Sequence, residues 1–200
     1  MLKIIGKATS INVRKVLWTC AELDVPFERL EWNEAAHAAL NPNRQVPVLV
    51  DGDLVLWESN TISRYLCTRH DGEALLPREA GARARVEQWM DWQATDLNGA
   101  WRYAFMALVR QSPAHADPAQ IGASVAGWNR LMGILDAQLA GSGAYVAGAG
   151  FTLADIVLGL SANRWLMTPM ARPDYPYVAA WIARLEARAG WRLYGGNATP

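Results

Sequence analysis

The sequence predicts a small α/β domain followed by a larger all-α domain, and three observations support this prediction. In the first 77 residues, short apolar segments alternate with turn residues and short helical patterns. From about residue 79 to residue 191, apolar residues recur every three or four positions, as in amphipathic helices, and no segment has the pattern of a strand. The turn formers Gly72, Pro77 and Gly81 lie between the two parts. We therefore predict a first domain over residues 1–77, a linker over 78–83 and a second domain over 84–200.

The first domain is predicted to follow the order strand, helix, strand, helix, strand, strand, helix. A helix between the first two strands makes these strands parallel. Asp51-Gly52, between two apolar segments, is a strong signal for a hairpin and adds an antiparallel pair. The sheet is therefore predicted to be mixed and four-stranded. The predicted strands are Leu2–Ile5, Phe27–Trp32, Val46–Val50 and Leu54–Trp57, and the helices are Asn12–Leu23, Glu34–Leu40 and Thr61–Arg69.

The second domain is predicted to consist of helices separated by loops rich in proline and glycine. Ser112-Pro113 breaks the chain after the first helical stretch, and Gly141 to Gly143 ends the next one. The predicted helices are one long helix or two over Ala84–Val109, then Ile121–Leu139, Thr152–Trp165 and Val178–Ala189.

The composition excludes several classes of function. Of the 200 residues, 52% are apolar and 19% are charged, so the chain can bury a substantial core. Nineteen basic residues balance nineteen acidic ones, which leaves no basic surplus to bind a nucleic acid. No apolar segment approaches the roughly 18–20 residues of a membrane span, and the N-terminus does not have the pattern of a signal peptide. Cys20 and Cys67 form neither a disulfide framework nor a zinc site, so we expect a cytoplasmic protein without a metal.

The loop before the first helix contains the polar residues Thr9, Ser10 and Asn12. A helix N-terminus presents unpaired N–H groups and a partial positive charge, and both favour a bound anion. A hydroxyl of Ser10 or Thr9 would add a hydrogen-bond donor. The competing interpretation is structural, because Ser or Asn at this position is also a common helix cap. The loop is therefore a candidate anion site.

Two further segments have the residue types of a binding site. Pro47, in Gln45-Val46-Pro47, cannot donate to a strand ladder, and a cis Val46–Pro47 bond would leave the Val46 backbone free to pair with an extended ligand. Glu58 and Ser59 directly precede a predicted helix, where Ser59 suits a carboxylate and Glu58 an ammonium group. The competing interpretation is an N-cap at Ser59, with Glu58 complementing the helix dipole.

In order and spacing, these segments resemble the cytosolic glutathione transferase superfamily, and the resemblance covers essentially the whole chain. It is most specific over Asn41–Leu49, which follows the pattern N-P-x-x-Q-V-P-x-L, and over Glu58–Leu66, which follows E-S-x-x-I-x-x-Y-L. The resemblance implies a thioredoxin-like fold for the first domain. It also implies a homodimer, in which the α/β domain of one subunit pairs with the α domain of the other.

The resemblance implies that glutathione is the co-substrate and assigns its contacts. It predicts a cis bond before Pro47, with the Val46 backbone pairing to the cysteinyl part of glutathione. It places Glu58 and Ser59 at the γ-glutamyl end and Gln45 beside the tripeptide.

The same comparison assigns the activation of the thiol to Ser10. No Tyr precedes Tyr65 and the first loop contains no Cys, so the subclasses that use those residues do not fit. A hydroxyl that donates to the thiolate stabilises it and lowers the pKa of the thiol. Asn12 stands where many relatives have proline, and we assign it to the glutathione site. Thr9 and Asn12 remain alternatives for the role of Ser10.

A pocket for a small hydrophobic electrophile is expected between the domains. Its candidate lining residues are Trp101, Tyr103, Phe105 and Trp165. The competing interpretation for each aromatic residue is packing in the core or in a dimer interface.

Glutathione transfer to such electrophiles is thus the expected activity. The alternatives are a non-catalytic glutathione-binding or protein-interaction module of the same fold, and a glutathione-dependent peroxidase or isomerase. One further segment, Thr152-Leu153-Ala154-Asp155, resembles the capping box of the superfamily with Asp in place of Glu, and we expect it to serve folding.

Overall fold

Four short strands form one mixed sheet in the first domain of the computed structural model, which describes residues 1–200. β1 (Leu2–Ile5) lies between β2 (Phe27–Leu30) and β3 (Val48–Asp51), and β4 (Leu54–Trp57) lies at the edge. β1 and β2 are parallel, whereas β3 is antiparallel to both β1 and β4. The predicted mixed, four-stranded sheet is therefore confirmed.

Two of the predicted strands are shorter than expected, for reasons that lie in their pairing. The predicted strand Phe27–Trp32 ends at Leu30, because Leu30 pairs with Ile5, the last residue of β1. The predicted strand Val46–Val50 begins only at Val48, because Pro47 has no N–H to contribute to a ladder. The helices of this domain are α1 (Ile11–Glu22), α2 (Glu34–His37), which continues into a 3-10 turn over Ala38–Leu40, and α3 (Ser59–Arg69).

The second domain is helical and has no strand, as predicted, although an isolated β-bridge joins Tyr145 and Gly148. The long stretch Ala84–Val109 is resolved as two helices joined without a break by a π-helical turn over Gln93–Leu97. The helices are α4 (Ala80–Trp92), α5 (Asn98–Leu108), α6 (Pro118–Ser142), α7 (Leu153–Met167) and α8 (Pro176–Glu186), with a 3-10 turn over Pro113–His115 and a second π-helical turn over Trp191–Gly195.

The start of α4 corrects the predicted linker 78–83. The Glu79 carboxylate accepts hydrogen bonds from the backbone N–H groups of Gly81 (2.7 Å) and Ala82 (2.6 Å), so it caps a helix that begins at Ala80. Residues 80–83 are thus the first turn of α4. Gly81 predicts a break in the chain, but a capping carboxylate offsets the cost of one glycine near a helix start.

Helix α1 joins the two domains because opposite faces of it belong to different cores. Val13, Val16 and Leu17 pack with the sheet and α3, whereas Trp18 packs in the larger core of the second domain. The Trp18 indole meets the Trp191 ring edge-on at a centroid distance of 5.6 Å. The two domains therefore share one helix, and the loop before that helix lies where they meet.

The chain after α8 returns to α1. The predicted last helix ends at Glu186 rather than Ala189, and Gly190 then lies so close to Trp18 that a Cβ atom there would be 2.3 Å from the indole. The buried guanidinium of Arg14 donates to the carbonyl oxygens of Thr199 (2.8 Å) and Pro200 (3.0 Å), which holds the last residues against α1. None of the helices combines the length and the apolar character needed to cross a membrane.

Candidate functional site

A cleft of about 630 Å³ lies between the two domains. One wall is the loop before α1, together with Gln45, and the other is formed by the π-helical turn, α5 and Arg164 of α7. At Asn12 and Asn98 the cleft continues into a smaller recess of about 260 Å³, which contains Glu58 and Ser59. The three candidate segments from the first domain thus meet along one groove.

Ser10 lies at the start of α1 without capping it. Its backbone is extended (φ −73°, ψ 126°), and its carbonyl oxygen accepts the hydrogen bond of Arg14 N–H at 2.9 Å, as an N-cap residue does. Its side chain, however, makes no capping hydrogen bond, and the residue lines the cleft. The hydroxyl is therefore available to a bound group beside the N-terminus of α1. Thr9 and Asn12 line the same cleft, so the structure also brings the two alternative donors to this place.

Glu58 and Ser59 occupy the start of α3 in an unusual backbone geometry. Glu58 is the N-cap residue and has φ +71°, a conformation that costs a residue with a Cβ atom about 1 kcal/mol or more. Ser59 is the first helical residue, which corrects its expected position as the cap. Neither side chain caps the helix, and both line the recess. The strained turn therefore places both residues at the groove, where they do not cap the N-terminus of α3.

Gln45 and Val46 approach the groove from the segment before β3. The Val46–Pro47 peptide bond is cis, as the resemblance implied. The backbone N–H and C=O groups of Val46 make no hydrogen bond within the chain. The exposed Gln45 side chain lines the cleft, and its carbonyl oxygen accepts from Asn41 Nδ2 at 2.9 Å. Both peptide groups of Val46 therefore remain free to pair with an extended ligand.

The structure brings only two of the four predicted aromatic residues to the cleft. Trp101 and Phe105 lie one turn apart on α5 and line it, with their rings edge-on at a centroid distance of 5.4 Å. Tyr103 points elsewhere, because residue 103 lies on the other side of α5, and it packs against His115 at 4.9 Å. Trp165 is buried on α7, where it stacks on Tyr175 and donates to Asn129. Tyr103 and Trp165 are therefore not part of this cleft.

Two buried cations that the sequence analysis did not select are prominent at the groove. Arg164 is 4% exposed, and its guanidinium lies over the rings of Phe105 (4.1 Å) and Trp101 (4.5 Å). Lys15 is 2% exposed and lines the recess of Glu58 and Ser59. Arg164 and Asp155 are the only charged residues of α7, so the sequence held a signal for Arg164, whereas Lys15 follows Arg14 in a mixed helix and carried no such signal.

Burial determines the protonation behaviour of these cations. Desolvation lowers the pKa of Lys15 to about 7, with the Arg164 charge acting in the same direction and Glu58 opposing it. Desolvation, followed by the charges of Arg14 and Arg110, lowers the pKa of Arg164 to about 9. Both groups are thus less stable as cations in the protein than in water.

Comparison with known proteins gives a consistent result over both domains. A family model described as "Glutathione S-transferase, N-terminal domain" matches residues 4–74, and one described as "Glutathione S-transferase, C-terminal domain" matches residues 118–184. Glutathione S-transferase GstB of Escherichia coli is 35% identical over 201 residues, covering 96% of each chain. Glutathione S-transferase 3 of Zea mays is 34% identical over 96% of this chain and 91% of its own.

Solved structures agree with the sequence comparison. The theta class glutathione S-transferase of Xanthomonas axonopodis pv. citri, solved with glutathione bound, has a TM-score of 0.91 and 38% sequence identity. The alignment covers 100% of this chain and 99% of that one. Glutathione transferase F7 of Populus trichocarpa has a TM-score of 0.84 and 25% identity, covering 96% of both chains.

Proposed function

The chain belongs to the glutathione S-transferase family, and from this premise we propose that it joins the thiol of glutathione to a small electrophile, with Ser10 activating the thiol. The observation that carries the proposal is the position of Ser10, which lines the interdomain cleft and whose side chain does not cap α1. A hydroxyl is not a base at neutral pH, so Ser10 acts as a donor to the sulfur. By stabilising the thiolate it lowers the pKa of the thiol from its ordinary value of about 8.5.

The glutathione contacts follow the groove. Ser59 and the free N–H groups at the start of α3 hold the γ-glutamyl carboxylate, and Glu58 holds the ammonium group beside it. The two free peptide groups of Val46 pair with the cysteinyl residue, while Gln45 and Asn12 border the tripeptide. The proposal is supported by the absence of capping bonds at Glu58 and Ser59 and of backbone bonds at Val46.

The electrophile enters from the second domain, along Trp101 and Phe105. The site holds the electrophile against the thiolate. Most of the rate acceleration then comes from the proximity and orientation of the two reactants. In the reaction, the sulfur bonds to the electrophilic carbon, the leaving group departs with its electron pair, and the thiol proton passes to solvent. Conjugation of this kind makes a reactive compound harmless, so detoxification is the proposed role.

We also propose a cytoplasmic homodimer. The two cysteines, Cys20 and Cys67, are buried and free, which supports a reducing compartment. Cell fractionation followed by detection of the protein tests the location.

The thiol pKa of bound glutathione tests the role of Ser10. In Ser10→Ala, the pH midpoint of the thiolate absorbance near the ultraviolet edge should rise by about one to two units, with glutathione affinity within a few-fold of wild type. Turnover of a reactive electrophile should fall about 10- to 100-fold at pH 7 and partly recover at pH 9. Because Ser10 makes no capping bond, the melting temperature should change little.

Parallel variants make this test decisive between neighbouring donors. An unchanged midpoint in Ser10→Ala, together with a raised one in Thr9→Ala or Asn12→Ala, transfers the role to that neighbour. An unchanged midpoint in all three leaves the helix N-terminus as the activating element and refutes the assignment of a side chain.

A further inference from the structure

Four basic side chains line the interdomain cleft, and three of them lie on the wall that receives the electrophile. Lys7, Arg102, Arg110 and Arg164 line the cleft, and no Asp or Glu does. None of these four cations forms an ion pair, although eight pairs occur elsewhere in the protein. The chain as a whole has no net charge, so this concentration of one sign is local. A cleft lined by one sign of charge concentrates ligands of the opposite sign.

Arg164 is the strongest indication, because it is a buried cation with unused hydrogen-bonding capacity. It is 4% exposed, its Nε–H has no partner, and Nη2 makes only a long contact of 3.5 Å to the oxygen of Pro200, the last residue. Its charged neighbours, Arg14 and Arg110, are also positive. Buried charges in proteins are normally paired, because the lost hydration must be replaced.

Arg164 also changes the nature of the aromatic wall. Its guanidinium lies over both Phe105 and Trp101, and Arg110 lies over Phe105 at 5.4 Å. The ring faces therefore support the guanidinium groups by cation–π contact rather than offering a bare apolar surface. A planar guanidinium fixed in this way is well suited to bind a carboxylate through two parallel hydrogen bonds.

We propose that this cleft selects electrophiles that carry an anionic group, such as a carboxylate, and that Arg164 and Arg110 bind that group. The inference rests on the proposed function, since it concerns the second substrate of the same reaction. Glutathione also carries a glycyl carboxylate, which has the same chemistry. Arg102, Arg110 and Arg164 belong to the second domain, opposite the loop 7–12 and Gln45, and this position assigns them to the electrophile.

A matched pair of aryl chlorides tests the selectivity. The enzyme is assayed with glutathione and either 4-chloro-3,5-dinitrobenzoate, an anion, or 4-chloro-3,5-dinitrobenzamide, which is neutral. In both, the thiolate sulfur bonds to the ring carbon, the C–Cl bond breaks and chloride leaves. Each kcat/KM is divided by the rate constant of the uncatalysed reaction with glutathione at the same pH, which removes the difference in intrinsic reactivity. The benzoate should be favoured by about ten-fold or more, as expected for one charge-assisted hydrogen-bonded contact.

Variants of the two arginines show whether they produce the preference. Arg110→Gln, an exposed position, and Arg164→Gln should each lower kcat/KM for the benzoate about ten-fold through KM. The amide should change by less than about two-fold, as should the KM for glutathione. Arg130→Gln on α6 is the control, because Arg130 is exposed and does not line the cleft; it should leave both substrates unchanged. If Arg164→Gln does not fold, Arg110→Gln still decides.

Three outcomes would overturn the inference while leaving the transferase intact. These are equal normalised rates for the two substrates, equal losses for both in the arginine variants, and a raised KM for glutathione with an unchanged KM for the benzoate. If neither compound is conjugated, the proposed function fails with these electrophiles, and direct titration with unreactive 3,5-dinitrobenzoate then decides. Binding that Arg110→Gln weakens supports the anion site, and binding that it leaves unchanged refutes it.

Discussion

The Nζ atom of Lys15 lies 2.7 Å from Oε1 of Gln93, and this contact joins the two domains in the interior of the protein. Lys15 belongs to α1, and Gln93 is the first residue of the π-helical turn between α4 and α5. Gln93 Nε2 in turn donates to Asn98 (3.1 Å) and Ser161 (3.0 Å). One buried cation is therefore held by a neutral acceptor in a network that crosses four elements. Polar networks of this kind specify a unique arrangement, at the cost of burying a charge.

Replacement of Lys15 should change how stability depends on pH. The pKa of Lys15 is about 10.4 in the unfolded chain and about 7 in the folded protein, so the unfolded chain binds the proton more tightly between these values. Wild-type stability should rise with pH from about 7 to 10, by at most about 1.4 kcal/mol per unit from this group, and the burial penalty is complete below pH 7. Lys15→Met removes that dependence.

Urea denaturation from pH 6 to pH 10 measures this effect as the wild-type minus Lys15→Met difference in unfolding free energy. The difference should be constant below about pH 7 and should move in favour of the wild type above it. Lys3→Met, at an exposed position of β1, is the matched control and should give a flat difference. A flat difference for Lys15→Met as well would contradict a strongly lowered pKa.

The order of elements in the first domain was predictable because local signals determine it. Asp51-Gly52 between apolar segments specifies a hairpin, and a helix between strands specifies a parallel pair; both are short-range relationships. The Gln45-Val46-Pro47 and Glu58-Ser59 segments were identified for the same reason. Their backbone geometry, including φ +71° at Glu58, depends on the tertiary structure and could not be predicted from the residue types.

The electrophile side of the site was less predictable because it depends on helix register and on contacts distant in sequence. Trp101 and Phe105 are four residues apart and share a helix face, whereas Tyr103 lies roughly opposite, so helical spacing alone could have excluded it. The position of Trp165 outside the cleft could not be predicted, because it depends on how α7 packs against the other helices. Arg164 meets Trp101 and Phe105 across more than fifty positions of sequence, a contact that no local pattern indicates.

Substitutions at Glu58 should separate glutathione binding from backbone strain. Glu58→Ala and Glu58→Gly both remove the carboxylate, and each should weaken glutathione binding about ten-fold or more in a calorimetric titration. Glycine adopts φ +71° without a Cβ cost, so Glu58→Gly should be more stable than Glu58→Ala by about 1 kcal/mol. Asp53→Asn removes another exposed carboxylate and should not alter binding. Unchanged affinity in both Glu58 variants would remove Glu58 from the site.

Loss of the Ser59 hydroxyl should affect binding but not folding. The side chain makes no capping bond, so Ser59→Ala should change the unfolding free energy by less than about 0.5 kcal/mol while weakening glutathione binding about ten-fold. Thr68→Ala on the same helix is the control, because its hydroxyl donates only to the Arg64 carbonyl within α3. A large loss of stability without a loss of affinity would identify Ser59 as a structural residue.

The proposed homodimer predicts a particle of about twice the 22.0 kDa chain mass in sedimentation at micromolar concentration. Leu54 and Trp57 on the edge strand β4 are exposed, which is consistent with a surface that a second copy covers. Sedimentation as a single 22.0 kDa species at the concentration used for activity assays would contradict the proposal.

Asp155 should contribute far more stability than a helix cap usually does. It is fully buried, and its carboxylate accepts four hydrogen bonds: Oδ2 accepts from the backbone N–H and the hydroxyl of Thr152 at 2.9 and 3.1 Å, and Oδ1 accepts from Val146 N–H and Trp181 Nε1–H, both at 2.9 Å. The sequence indicated only the contact with Thr152. The carboxylate therefore joins the start of α7 both to α8, through Trp181, and to the loop between α6 and α7, through Val146.

Asp155→Asn tests this assignment because it keeps the shape of the side chain and turns one oxygen into an NH₂ group that faces two donors. We expect a loss of about 3 kcal/mol or more in unfolding free energy, against about 1 kcal/mol for Thr152→Ala, which removes one hydroxyl.

Burial raises the pKa of Asp155 to about 6 although the hydrogen bonds oppose the shift, so the folded protein holds this proton more tightly than the unfolded chain. The contribution of Asp155 to the unfolding free energy of the wild type should therefore be largest near pH 4. It should decrease as the pH rises to 6, by at most about 1.4 kcal/mol per pH unit. Urea denaturation of both proteins at pH 4, 5, 6 and 7 measures the difference, and a difference that increases over that range would show that Asp155 has a lowered pKa instead.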